Sequence, residues 1–142
     1  MWYIKIMLEL SERQKDKIVE ICRNFGVKIL LLFGSQIGGK IHKESDIDLA
    51  FASGRPLNFE KAARFNAELQ SVFGENKVET VDILKTSPLL KKRIFDEHAA
   101  LYIDNKFLYY SLASYALKSY IETKFLRENM GKYLNQKYAR NW

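Results

Sequence analysis

Apolar and polar positions along the chain fall into two periods, and the switches between them mark its elements. Ser11-Glu-Arg-Gln14 has the spacing of a capping box, so a helix is expected from there to Phe25, stopped at Gly26. Val27 to Phe33 reads as a short apolar strand ending at Gly34. Asp46 to Phe51 alternates, with Asp46, Asp48 and Ala50 on one face and Ile47, Leu49 and Phe51 on the other. Beyond the turn Ser53-Gly-Arg-Pro-Leu-Asn58, Asn58 is expected to cap a helix through Phe73, with Gly74 as its stop. Val78 to Leu84 is expected as a third strand, with Val81 and Ile83 facing the core and Asp82 pointing the other way. Ser87-Pro88 opens a short helix, as Pro at the first helical position allows. An extended Ala100-Leu-Tyr-Ile-Asp104 leads into a long helical pattern from residue 105 to about residue 135. The opening Trp2, Ile4, Ile6 and Leu8 alternate like an edge strand.

Two strands that follow each other with no helix between them argue against a doubly wound sheet. The expected fold is α+β, a small mixed β-sheet backed by helices with a long C-terminal helix. With 142 residues the chain makes one domain of residues 1–104 and a helical extension of residues 105–142. No apolar run is long enough for a membrane span, and the first residues lack a secretory cleavage pattern. One cysteine, Cys22, excludes an intramolecular disulfide and any cysteine-rich metal site, which fits a reducing cytoplasm.

Charge changes the picture of the extension. Residues 1–104 carry 16 Lys/Arg against 15 Asp/Glu, whereas residues 105–142 carry 7 against 2. A nearly neutral body does not suit a nucleic-acid track, and no direct nucleic-acid binding is expected. Six of the eight tyrosines also lie in residues 105–142, so the extension is expected to meet a protein partner.

The candidate chemistry begins where the first strand ends. Gly34-Ser-Gln-Ile-Gly-Gly39-Lys40 matches the spacing of a P-loop, but Ile41 stands where the magnesium-binding hydroxyl belongs. Only a few residues separate Lys40 from the next strand, too few for the helix on which a P-loop seats its phosphate. The alternative uses the whole pattern. Gly34 and Ser35 form a phosphate-approaching turn, Gly39 closes the same loop, and Lys40, His42 and Lys43 add positive charge. Asp46 and Asp48 then project from one strand face about 7 Å apart, a spacing at which two carboxylates can share magnesium with a triphosphate. Asp82 is expected on the same face of a neighbouring strand, completing the site and helping to take the acceptor's proton. His98 reads as a residue favouring a helix end, and Cys22 as a small core residue.

Gly34-Ser35, the ten residues after it, Asp46-x-Asp48 and the later strand aspartate resemble the polymerase-beta type of nucleotidyltransferase over residues 11 to about 104. The short length resembles the minimal nucleotidyltransferases, or MNT proteins, many of which are antitoxins paired with a HEPN ribonuclease toxin. That resemblance implies transfer of AMP from ATP to a tyrosine of the toxin, with Mg2+ as cofactor. It also implies that Gly34 and Ser35 bind the nucleotide while Asp46, Asp48 and Asp82 hold the metal. Gln36 departs from the pattern, in which Arg or an aromatic residue is common. Two further readings stay open: a small-molecule nucleotidyltransferase, and a non-catalytic antitoxin that inhibits its toxin by binding.

Overall fold

The structure, a computed structural model, describes residues 10–34, 46–74 and 76–139. Helix α1 (Glu12–Asn24) begins at a reciprocal cap. The Gln14 N–H donates to Ser11 Oγ at 3.1 Å and the Ser11 N–H donates to Gln14 Oε1 at 2.9 Å. Four strands follow: β1 (Val27–Phe33), β2 (Ile47–Ser53), β3 (Val78–Asp82) and β4 (Ala99–Ile103). They form one sheet in the order β3-β2-β1-β4. β1 is antiparallel to both β2 and β4, and β2 is parallel to β3. A parallel pair needs a crossover, which helix α2 (Phe59–Phe73) supplies. Its ends are those the sequence marks, with Asn58 Oδ1 accepting from the Lys61 N–H at 2.8 Å and Gly74 at φ 67°.

α1 and α2 cover one face of the sheet. Phe65 of α2 is wholly buried between Phe25 and Phe51, with ring centroids 5.4 and 5.1 Å away. A ring held this way costs about 3–5 kcal/mol to truncate. Thr80 of β3 faces the same layer, donating to Asn66 Oδ1 at 3.0 Å. The other face meets α3 (Pro88–Asp96) and the long helix α4 (Lys106–Ala139). Both central strands are therefore buried on two sides, which is why β1 reads as a continuous apolar run.

α3 and α4 are joined by aromatic and cationic contacts. The Lys91 ammonium sits 5.2 Å from the Tyr115 ring centre, while Tyr120 lies between Lys92 at 4.8 Å and Arg127 at 4.7 Å. His98 Nε2 and the Tyr109 hydroxyl are 2.6 Å apart, tying the start of β4 to α4.

Two elements differ from the sequence reading. The extended stretch before Asp104 is a true strand, β4, hydrogen-bonded to β1. The third strand stops at Asp82, and Ile83–Lys85 form a single 3-10 turn because the Asp82 side chain accepts from the Leu84 N–H at 3.0 Å. The expected edge strand at Trp2–Leu8 lies outside the described residues.

With 34 residues, α4 is about 51 Å long. Leu112, Ala116 and Ser119 bury one stripe against the body. The same helical spacing continues through Leu126, Met130 and Tyr133, which are 65%, 59% and 57% exposed. Among the described residues no helix is long and apolar enough to cross a membrane.

Candidate active site

The site forms where β1 ends and β2 begins. Antiparallel register sets Phe33 against Asp48, so the next residue, Gly34, turns directly over the Asp48 side chain. Gly34 has φ +86°, in the left-handed region. A Cβ there would collide with the Asp48 carboxylate and stand 3.2 Å from its Cγ. Glycine is thus required twice at this position, by backbone angle and by space. Asp46 immediately precedes β2 and is exposed; Asp48 is partly buried on the face turned away from α1 and α2.

The parallel register of β2 and β3 pairs Asp48 with Glu79. The Asp48 carboxyl is consequently raised above the ordinary carboxylate range. Burial is the main cause, followed by the negative charges of Glu79 and Asp46, and a side-chain hydrogen bond to Glu79 adds to it. The Arg93 guanidinium of α3 pulls the other way. Such a set of like charges favours either a shared proton or a cation. Among the described residues no three acidic, His or Cys side chains close into a finished metal cage. Asp46, Asp48 and Glu79 instead form an open carboxylate edge. Magnesium suits that donor set, since it is commonly bound by one or two carboxylates with phosphates and waters supplying the rest.

The structure corrects the expected position of Asp82. It pairs with Phe51, three residues along from the Asp48–Glu79 pair, and strand alternation turns it to the opposite face. Its carboxylate is engaged in capping the 3-10 turn. The carboxylate brought to Asp48 is Glu79, which the sequence reading missed. A signal for it exists: Asp82 stands two residues before Leu84 at the entry to a turn, the place of a capping Asp, which leaves Glu79 as the strand's other acid. Ser35, Gly39 and Lys40, together with His42 and Lys43, lie outside the described residues. His98 packs against Phe95 and Tyr109. Burial pushes the Cys22 thiol up to about 12, so it is an inert core residue.

Solved structures share this arrangement of elements. One is a chain of the complex described as tri-AMPylated Shewanella oneidensis HEPN toxin with MNT antitoxin. The identity is 18%, the match covers 87% of this chain and 97% of that one, and the TM-score is 0.69. A second is a toxin–antitoxin complex with AMP-PNP, at 19% identity, 84% and 97% coverage and a TM-score of 0.71. A third is the toxin–antitoxin MntA–HepT, at 17% identity, 87% and 98% coverage and a TM-score of 0.69. At these identities the likeness speaks for the fold. A comparison with curated proteins gives no match. The family model described as polymerase beta, nucleotidyltransferase, matches residues 16–107, a span that holds Gly34, Asp46, Asp48 and Glu79 and all four strands. The chain belongs to the polymerase beta nucleotidyltransferase family.

Proposed function

We propose that this protein is an antitoxin that transfers AMP from ATP to a tyrosine of a partner HEPN ribonuclease toxin and so neutralises it. The observation that carries the reading is the Gly34 turn packed on Asp48 beside Asp46 and Glu79, a phosphate approach set against a carboxylate edge. The similar solved structures add the partner class, since one contains a tri-AMPylated HEPN toxin and another a bound ATP analogue. In this reading Asp46 and Asp48 hold magnesium, Glu79 takes the place first expected of Asp82, and Gly34 with Ser35, Gly39 and Lys40 receives the phosphates. Bound magnesium would neutralise the triphosphate and favour the ionised acceptor oxygen.

The acceptor hydroxyl oxygen attacks the α-phosphorus, and the bond from that phosphorus to the bridging oxygen of the β-phosphate breaks. AMP stays on the acceptor and pyrophosphate leaves. A carboxylate oxygen of Glu79 accepts the hydroxyl proton, a role that its pairing with Asp48 supports. Residues 1–104 act as the catalytic body and residues 105–142 as the partner-binding extension.

The test is transfer of radiolabelled AMP to a co-purified HEPN protein, with intact-mass analysis of the product. Wild type should add AMP mass to the partner, and Asp48→Asn should add none while still binding it. Equal protection from the toxin by Asp48→Asn would replace this reading with inhibition by binding alone.

A further inference from the structure

We propose that the outer side of α4, centred on Leu117, is a self-pairing surface on which the same helix of a second copy of this chain docks antiparallel. The proposal stands apart from the transfer reading above. In the first half of α4, Leu112, Ala116 and Ser119 are buried against the body. Tyr110, Leu117 and Ile121 are instead 65%, 52% and 60% exposed. At about 100° per residue, this second stripe is turned roughly 150° from the first. Phe107 and Phe125 flank it and are more exposed still. A helix with apolar side chains on opposed sides is suited to being covered on both. Among the described residues nothing covers the outer side, and a contiguous apolar patch of this kind marks an interaction surface.

A second copy is the occupant that the residues around Leu117 fit. Ala113 and Ile121 stand four residues to either side of it, Tyr110 and Lys124 seven, and Lys106 and Glu128 eleven. Each offset is close to a whole number of helical turns, so all of these residues share one side of α4. A two-fold axis through Leu117 sets that residue on its own copy and small Ala113 against Ile121. It also sets the Lys124 ammonium against the Tyr110 ring and Lys106 against Glu128, and each of these contacts forms twice. Among the described residues Lys106, Lys124 and Glu128 make no ion pair within 4.0 Å. Lys118 and Glu122 beside the stripe already pair with each other at 3.9 Å. A parallel arrangement would set each lysine against its own copy, which like charge disfavours. The overhanging Leu126, Met130 and Tyr133 continue the body-facing side of α4 and take no part.

Sedimentation equilibrium of the full chain alone, over a wide range of concentration, tests this, with thermal melts to check that each variant folds. Wild type should dimerise and Leu117→Glu should stay monomeric. Lys106→Glu should weaken pairing about threefold to tenfold, and adding Glu128→Lys to it should restore the wild-type constant. Leu117→Cys treated with an oxidant should link two copies through that residue, because only an axis there brings it onto itself. Cys22 is buried and stays out of the reaction. A wild type that is monomeric at every concentration would overturn the proposal. So would a dimer that Leu117→Glu and the charge variants leave unchanged, or one in which Leu117→Cys never links. A monomeric wild type whose Leu117→Glu variant loses capture of the HEPN partner would overturn it as well, by giving this face to the partner.

Discussion

Asp48 and Glu79 meet because β2 and β3 run parallel in one register, and that pairing decides which acid of β3 can serve the site. Glu79 and Asp82 are three positions apart, an odd offset, so they cannot share a strand face. Glu79→Gln should therefore lower transfer about 10²-fold or more, with the fold intact. Asp82→Ala should keep transfer and lose about 1 kcal/mol of stability, because the Leu84 N–H loses its cap. Label transfer and thermal melts of the two variants separate these roles, and the reverse pattern would return Asp82 to the site. Asp46, Asp48 and Gly34 were legible in the sequence because alternation and the strand-ending glycine are local features. Glu79 was missed although the capping place of Asp82 pointed to it, because the pairing that brings it to Asp48 depends on the register to a strand some thirty residues earlier.

At the scale of elements, caps were the most legible feature, since each is written within four residues. Ser11 with Gln14, Asn58 with Gly74 and Ser87-Pro88 all mark true helix ends. β4 was read only as extended chain, because its identity as a strand depends on pairing with β1, some seventy residues away. The junction of α3, β4 and α4 is held by His98. Burial lowers its pKa below the ordinary histidine value, so the folded state binds fewer protons than the unfolded chain around and below pH 6.5. Stability should accordingly fall as pH drops from 7 through 6.5 and into the lowered folded-state value, and should be insensitive to this group above 7. His98→Gln keeps a partner for the Tyr109 hydroxyl and should flatten that part of the profile. Urea melts at several pH values check it; an unchanged slope in the variant would assign the titration elsewhere.

For the whole molecule, the decisive relation is between a body with two covered sheet faces and a helix whose second half is exposed. The first half of α4 buries Leu112 and Ala116 and is part of the core. Beyond Phe125 the stripe has nothing among the described residues to cover it. Ending the chain after Phe125 should leave AMP-PNP binding unchanged, since Gly34, Asp46, Asp48 and Glu79 all precede it. Arg127 would be lost from Tyr120, a cation contact worth about 0.5–1 kcal/mol at an exposed site. Partner capture should weaken in a pull-down, with part of the loss depending on salt. Full capture and labelling by the shortened chain would place docking on the body instead.

The overhanging end of α4 also bears on how long the protein survives unaccompanied. Its backbone hydrogen bonds have only each other for support, so this segment opens at far lower free energy than the sheet and offers a protease a point of entry. A partner that covers Leu126, Met130 and Tyr133 would close that entry point. Chains made in excess of such a partner would then be trimmed while those in complex would persist, and the exposed stripe would couple the lifetime of the protein to the supply of whatever covers it.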